Sequence, residues 1–454
     1  MRLSPAERWM IRSLLRPGRP PSRAEVEEFQ AARLREIVAH AYQRVPFYRR
    51  LFDRHGLTPD MIRTPADLTR VPVTTRREVQ AASPADLVAE GEDPARLLSH
   101  STGGSSGVPL TIRRGRREDW LGSAQRARML RSFGVRPRDR RVGVRLVERA
   151  PAPPHPMRRV LRALGYDRRT VLTLARPPAE ILAAMRRLRP DVLLGYPNAL
   201  ARLARLATPE DRAVIRPRLA ICGAEVVTPD MRAAITAGFG ARVFDWYGSQ
   251  ELGLVAWECR HTGAYHVADD AIALEVLRDG RPTAPGESGE VVGTRLHSRA
   301  MPFIRYAQDD VVTRGAGSCA CGQPWSTIHT VEGRMRDFFL LPSGRLVHPL
   351  DLNYPLKLEG WIKEYRFVQD RRDRVRVQMV APAPPPEGVA RITDALIARL
   401  EPGVALEIEL VSRIELEAGG KFRMARSLVD PDYDGIDWAA RRAAEFPRPG
   451  PGAR

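Results

Sequence analysis

The stretch between residues 178 and 246 constrains the fold more than any other part of the chain. Pro178 to Leu188 reads as a helix, and Val192-Leu193-Leu194 as a short buried strand running into Gly195-Tyr196-Pro197. Leu219 to Cys222 is a second apolar run, opening into Gly223-Ala224-Glu225. Thr228-Pro229 then supplies an N-cap followed by proline at the first helical position. The helix it starts ends at Gly238-Phe239-Gly240, before a third run from Arg242 to Trp246. Helix and strand in alternation imply a sheet covered by helices, an α/β architecture.

The flanks extend this picture. Residues 24–44 place Val26, Phe29, Leu34, Ile37, Val38 and Ala41 near helical spacing, with Pro46 as the stop. From about residue 271 the pattern turns to strands: Ile272–Leu277, a turn at Asp279-Gly280, then Glu290–Leu296. Further on come two strands (Glu364–Val368 and Val375–Val380), a proline-rich bridge at 382–386, a helix (Val389–Leu400) and a strand (Leu406–Val411). The predicted organisation is a large N-terminal domain at 1–336, with helix-covered sheets plus a β-rich region. A small C-terminal α+β domain follows at 337–445, and a disordered Pro/Gly tail at 446–454.

A chain of 454 residues suits two or three packed domains. No stretch approaches 18 uninterrupted apolar residues, which excludes a membrane-spanning helix and a membrane partner. The first residues have no apolar core of signal-peptide length, and four cysteines are too few for a disulfide scaffold. The expectation is a cytoplasmic protein, with a homodimer left open. The net charge of +19 raises the question of nucleic acid. Of 73 basic residues only Lys357, Lys363 and Lys421 are lysine, and the arginines are spread along the chain with acidic neighbours, as in Arg35-Glu36. A nucleic-acid stripe would cluster with interleaved aromatics, so nucleic acid is an unlikely main partner. Acidic small substrates such as nucleotides fit the charge.

Four segments could carry chemistry. Ser101-Thr102-Gly103-Gly104-Ser105-Ser106-Gly107 can bend its backbone close to an anion and offer N–H groups and hydroxyls to phosphate oxygens. It lacks the GxxxxGK[ST] spacing, and the alternative is a flexible surface loop. Gly420-Lys421-Phe422 keeps a lysine in a chain that otherwise writes arginine, which suggests a site needing a compact ammonium; chance is the alternative. Tyr247-Gly248-Ser249-Gln250-Glu251 follows a strand, where α/β sheets place ligands. Glu251 suits magnesium, or equally a helix N-terminus. Finally, Cys319-Ala320-Cys321-Gly322 lies downstream of Cys259, His261 and His266. Three thiolates and one imidazole satisfy tetrahedral zinc, against the alternative of unrelated thiols. Cys222 reads as a buried small hydrophobe.

Taken in order, the motifs resemble the adenylate-forming superfamily, in particular its phenylacetate–CoA ligase and CapK-like branch. The resemblance runs through Val45-Pro46-Phe47-Tyr48-Arg49, the Ser101–Pro109 loop, Gly195-Tyr196-Pro197, Gly223-Ala224-Glu225 and Tyr247–Glu251. It continues through Met301-Pro302-Phe303-Ile304-Arg305-Tyr306 with Asp310, Gly333-Arg334-Met335-Arg336-Asp337 and Gly420-Lys421-Phe422-Arg423.

The resemblance implies an acid–thiol ligase. ATP would activate a carboxylic acid, aryl or acyl, as an acyl-adenylate with loss of pyrophosphate. Coenzyme A would then take the acyl group. An amine, hydroxyl or carrier-protein thiol as acceptor is the first alternative, and a basic nucleic-acid-binding zinc protein a remote one. It also implies roles. Ser101 to Gly107 would close over the β- and γ-phosphates; Gly223, Ala224 and Glu225 would line the adenine pocket with Tyr247, beside Gly248 and Ser249. Glu251 would hold magnesium, Asp310 the ribose hydroxyls, and Arg334 the ribose and phosphate region. Asp337 would be the hinge, and Lys421 would bridge substrate carboxylate and α-phosphate. Tyr196, Pro197 and Trp246 would line the acyl pocket, where the aromatics serve as stacking walls or plain core. In the CapK-like branch the zinc ligands correspond to Cys259, His266, Cys319 and Cys321, with His261 in reserve. Two departures stand out: Val108 where such loops often carry lysine, and Asp309 where the family usually has glycine.

Overall fold

The apolar runs of the middle segment become neighbouring parallel strands. The computed structural model describes residues 4–15, 20–101, 110–145, 168–278, 280–334, 339–347, 352, 355–356, 359–415 and 425–429. A hairpin of β1 (Leu98–Ser101) and β2 (Thr111–Arg114) stands apart from the main sheet, with Ser101 opposite Thr111. In that sheet β3 (Arg141–Arg145), β4 (Arg169–Thr173), β5 (Val192–Gly195), β6 (Leu219–Gly223) and β7 (Arg242–Ser249) lie parallel in the order β4-β3-β5-β6-β7. Every residue of β6 is buried, as a strand covered on both faces must be.

The covering helices start on prolines. Pro178–Leu188, Pro197–Leu206 and Pro229–Phe239 each place proline in the first turn, where a missing N–H costs nothing and φ is already helical. Thr228 caps the third helix by accepting from Met231 N, and Gly240 ends it at φ 67°. That helix lies so close to its neighbour that a Cβ on Gly238 would stand 2.6 Å from Ala204. Val142, Val144, Leu193, Ile181, Met185, Leu200 and Phe239 fill the core between sheet and helices.

Beyond β7 the same sheet turns antiparallel. β8 (Gly253–Glu258), β9 (Tyr265–Val267), β10 (Ile272–Arg278), β11 (Arg281–Pro282), β12 (Ser288–Arg295), β13 (Tyr306–Arg314) and β14 (Thr327–Arg334) extend it in the order β7-β8-β9-β14-β13-β12-β10-β11. This is the β-rich region expected past residue 271, but it begins earlier, with β8 at Gly253. The first long helix spans Arg23–Arg44, closed at its start by a Ser22/Glu25 capping box. Pro46 does more than end it: Val45 is the C-cap of this helix and the N-cap of the next, Pro46–Arg54. Leu34, Ile37, Val38 and Ala41 pack with Tyr48, Phe52, Leu296 and Ile304. Thr74 pairs with the start of β13, its N–H donating to Arg305 O at 2.8 Å and its carbonyl accepting from Ala307 N at 2.9 Å. That contact anchors the helix Arg76–Ala81 beside the sheet.

Contacts divide the chain into two units, Met1–Leu277 with Pro282–Glu332, and Arg278–Arg281 with Gly333–Arg454. In the second, β15 (Phe339–Leu340) and β16 (Leu346–Val347) form a short hairpin. β17 (Glu364–Arg371), β18 (Arg374–Val380), β19 (Ala405–Leu410) and β20 (Ala425–Ser427) make a sheet ordered β19-β18-β17-β20. Phe367, Val375, Val377, Met379, Ile392 and Leu396 form its core with the helix Pro386–Ile397. That helix starts three residues before the predicted Val389, because Pro385 and Pro386 serve as N-cap and first-turn residue instead of a bridge. The predicted boundary at 336/337, Asp279 and the tail at 446–454 lie outside the described residues.

Several arginines are committed to local ion pairs. Arg140 pairs with Asp191, Arg218 with Asp139, Arg305 with Glu275, and Arg374 with Asp370.

Candidate active site and metal centre

The carboxyl ends of β5, β6 and β7 converge, the position where an open α/β sheet exposes its crevice. β6 ends on Gly223, whose backbone lies against the Trp246 indole. A Cβ there would stand 2.4 Å from Trp246 Nε1. The next residue, Ala224, is held in the left-handed region at φ 68°. A non-glycine residue in that conformation is strained, and such strain concentrates at ligand sites. Glu225 follows, half-buried. Tyr196 and Trp246 are half-buried and Pro197 is buried. Burial raises the Tyr196 phenol above its ordinary value, and the nearby Glu225 carboxylate adds to the rise.

Tyr247 and Asp310, 63 residues apart in sequence, meet directly: the phenol donates to Asp310 Oδ2 at 2.7 Å. Gln308 ties them together. Its Nε2 donates to Tyr247 Oη at 2.8 Å and to Asp310 Oδ2 at 2.5 Å, while its Oε1 accepts from Ser249 Oγ at 2.7 Å. Ser249 Oγ in turn accepts from Leu252 N at 3.0 Å, bracing the turn after β7. Gln308 was absent from the residues predicted by motif. Its only sequence signal is its place two before Asp310. Between them Asp309 sits at φ 61°, the conformation a glycine supplies without cost and aspartate tolerates better than most. This departure from the family pattern therefore keeps the backbone path.

Glu251 is buried in the turn between β7 and β8, its carboxylate 3.1 Å from Arg76 Nη1. The alternative of a helix N-terminus does not hold, since the chain returns directly into β8. The Gly248 backbone lies against this return, where a Cβ would stand 2.3 Å from Gly253 O. Arg295 Nη1 donates to Glu251 O at 3.3 Å, and Arg114 Nη2 to Gln250 O. One buried carboxylate as a hard oxygen donor fits magnesium, which is commonly held by one or two carboxylates together with substrate phosphates.

Ser101 ends β1 at the mouth of the hairpin turn. Thr102, Gly103, Gly104, Ser105, Ser106 and Gly107 lie outside the described residues, as do Asp337 and Lys421. Arg334 is the last residue of β14.

A second centre forms where β8, β9 and the β13–β14 connection meet. The ligand atoms of Cys259, His266, Cys319 and Cys321 all lie within 4.8 Å of one another. Cys259 Sγ and Cys319 Sγ are 3.8 Å apart, and Cys321 Sγ is 3.3 Å from His266 Nε2. A tetrahedron with metal–sulfur bonds of about 2.3 Å has a sulfur–sulfur edge of about 3.8 Å, so the spacing suits zinc. His266, and not His261, completes the set: His261 contributes its backbone N–H to Cys259 Sγ at 3.4 Å. Burial holds the His266 ring down at about 4, so the imidazole is neutral and its nitrogen available to a metal. The His266 ring stands edge-on to Trp257 at 5.8 Å. Cys222 is fully buried in β6, outside this group.

Between the two centres runs a buried acid network. Asp245 of β7 accepts from Tyr265 Oη at 2.8 Å, and Glu258 accepts from Asp245 N at 2.9 Å and from Arg232 at 3.0 Å. Burial raises the Asp245 carboxyl to about 8.

No family model matches the chain. It is 29% identical over 371 residues to the phenylacetate-coenzyme A ligase of Escherichia coli (strain K12), spanning 78% of this chain and 82% of that protein. It is 28% identical over 334 residues to the phenylacetate-coenzyme A ligase of Thermus thermophilus, spanning 70% and 72%. Among solved structures, 2-hydroxyisobutyryl-CoA ligase in the postadenylation state superposes with a TM-score of 0.72 at 22% identity, over 94% of this chain and 93% of that one. An anthranilate CoA ligase in complex with anthranoyl-AMP superposes with a TM-score of 0.54 at 16% identity, over 73% and 66%.

Proposed function

We propose that this chain, similar to the phenylacetate-coenzyme A ligases and folded like solved CoA ligases, is an AMP-forming acid–thiol ligase that activates an aryl or acyl carboxylic acid for transfer to coenzyme A. A carboxylate oxygen attacks the α-phosphorus of ATP; the bond to the β-phosphate breaks and pyrophosphate leaves with its electron pair. The thiol of coenzyme A then displaces AMP from the acyl-adenylate. The observation that carries this reading is the convergence of the strained Gly223-Ala224 shelf with the Tyr247–Gln308–Asp310 cluster at the ends of β6 and β7. A flat base fits against a bare backbone shelf, and a carboxylate is the natural acceptor for two ribose hydroxyls.

Each residue then has work that its chemistry allows. Tyr247, with Gly223, Ala224 and Glu225, bounds the adenine; Asp310, oriented by Gln308, takes the ribose hydroxyls. Ser101 to Gly107 wraps the outer phosphates and Arg334 supports the nucleotide. Lys421 meets the substrate carboxylate and the α-phosphate, offsetting the repulsion of two anions. Asp337 is the hinge residue. Glu251 holds magnesium, which when bound neutralises phosphate charge. Tyr196, Pro197 and Trp246 give the acyl group half-buried, aromatic walls. Cys259, His266, Cys319 and Cys321 hold a structural zinc that ties β8 and β9 to the β13–β14 connection. The relatives do not favour a non-CoA acceptor or a nucleic-acid-binding role.

The test is pyrophosphate exchange into ATP across a panel of carboxylic acids, followed by thioester formation with free coenzyme A. Acid-dependent exchange with thioester product is expected. No exchange with any acid, in a folded and magnesium-supplied protein, would overturn the reading.

A further inference from the structure

The carboxylate assigned to magnesium already faces a cation. Glu251 Oε1 accepts from Arg76 Nη1 at 3.1 Å, in a pair whose glutamate side chain is 7% and whose arginine side chain is 16% exposed. Among the described residues this is the one ion pair that Glu251 makes. Two other arginines reach the same turn but grip its backbone: Arg114 donates to Gln250 O and Arg295 to Glu251 O. Arg76 alone of the three meets the carboxylate, and the ligase reading gives it no task.

Both partners are held in place from their own side. Arg76 opens the helix Arg76–Ala81, whose start is closed by a Thr75/Glu78 capping box. Thr74, two residues earlier, is stitched to the approach to β13: its hydroxyl donates to Ile304 O at 3.0 Å and its N–H to Arg305 O at 2.8 Å. Glu251 sits in the β7–β8 turn that Ser249 and Leu252 brace. Tyr306, buried beside the pair, hydrogen-bonds Arg76. Burial, reinforced by the Glu251 charge, raises the Tyr306 phenol, so it remains a neutral partner for the guanidinium.

Ion pairs in water are weak because solvent screens them, whereas charges this shielded attract and repel strongly. A bare divalent cation approaching Glu251 meets a carboxylate whose charge is already answered, with a fixed positive charge beside it. A cation carrying phosphate oxygens brings negative charge of its own and meets far less opposition. We propose that Arg76 guards Glu251 against free divalent cations, so that the carboxylate takes magnesium only as its complex with the nucleotide polyphosphate. The inference rests on Glu251 being the magnesium ligand. Arg76 acts through that carboxylate, as a positioning residue, and Tyr306 gives its guanidinium a contact that does not depend on Glu251.

The test uses manganese(II), which takes the same hard oxygen ligands and is paramagnetic. It is titrated into the zinc-supplied, nucleotide-free full chain and followed by electron paramagnetic resonance. Arg76→Gln is expected to bind manganese at least tenfold more tightly than wild type, and Arg76→Lys, which keeps the charge, within threefold of wild type. Manganese should also raise the melting temperature of Arg76→Gln and leave that of wild type unmoved. Should Arg76→Gln fail to fold, Arg76→Met carries the same comparison with the same expected gain. The sign decides: losing a merely structural support for the carboxylate weakens metal binding, and losing a guarding charge strengthens it. Manganese affinity in the folded variants within twofold of wild type, or weaker, overturns the guard. A separate arm measures the affinity for manganese–ATP in the absence of any acid. Glu251→Gln should lower it at least tenfold; an unchanged value there counts against Glu251 as the metal ligand, and so against the reading on which the guard rests.

Discussion

Replacing Gln308 by leucine isolates the role of a residue that touches no expected catalytic atom. The substitution keeps the approximate volume and removes the amide that donates to Asp310 Oδ2 and Tyr247 Oη and accepts from Ser249 Oγ. A hydrogen bond to a charged acceptor contributes about 1.5–3 kcal/mol and a neutral one about 1 kcal/mol. Most of the neutral part is recoverable, because Tyr247 still donates to Asp310 at 2.7 Å. The Asp310 carboxylate loses its second donor and with it a fixed orientation. A cost of about 2 kcal/mol in nucleotide binding raises the KM for ATP roughly 30-fold. Exchange kinetics at varied ATP and acid give the readout: kcat within about threefold and the KM for the acid unchanged. The 2′-deoxy nucleotide supplies a second leg. If Gln308 works through the ribose-binding carboxylate, the penalty for deleting the 2′-hydroxyl shrinks in the variant relative to wild type. An ATP KM within twofold of wild type, or an undiminished 2′-deoxy penalty, refutes the assignment.

Four other outcomes follow from the same geometry. Lys421→Ala should lower the rate of acid-dependent exchange by about 10²–10³-fold, the usual loss for one preorganised charge, with the melting temperature within error of wild type. Exchange at the wild-type rate removes Lys421 from the reaction. Cys319→Ser should release one zinc per chain by elemental analysis and lower the melting temperature, since the metal spans segments 60 residues apart in sequence; a wild-type protein free of zinc contradicts the cluster's role. Glu251→Gln should raise the magnesium concentration for half-maximal exchange at least tenfold, and an unchanged magnesium dependence places the metal elsewhere. Asp245 titrates near 8 when folded and near 3.8 when unfolded, so the native state holds a proton that the unfolded chain has lost. Its stabilising share is complete below pH 3.8 and disappears as pH rises through about 8. Relative to Asp245→Asn, wild type should lose up to about 1.4 kcal/mol per pH unit between pH 6 and 8 and level off above, in denaturant unfolding. A difference between the two proteins that is flat in pH contradicts the buried proton.

What could be read from the chain and what could not divides along a physical line. Three of the five parallel strands, β5, β6 and β7, were legible as apolar runs punctuated by Thr228-Pro229 and Gly240, whereas β3 and β4, partly exposed and interrupted by arginine and threonine, carry no such run. The Cys/His cluster was legible for another reason: a thiol carries its ligand chemistry wherever it falls, so Cys259, Cys319 and Cys321 stood out as candidate ligands before any fold was known. Choosing His266 over His261 was not a question of residue type. It depends on β9 placing alternate side chains on one face and on the pairing of His266 with Thr327, which sets that ring beside the β13–β14 connection. Gln308 is the opposite extreme. Glutamine is common and chemically mild, and its meaning arises only when strand pairing brings Ser249 and Tyr247, 59 and 61 residues away, within reach of one amide. The paired arginines show the same limit from the side of charge. Nothing in the composition separates Arg140, paired with Asp191, from Arg295, buried and donating to the Glu251 carbonyl; the partner is set by the strands that carry each residue. Where arginine stands at nearly every basic position, hydrogen-bond accounting rather than residue identity separates the role of one guanidinium from that of another.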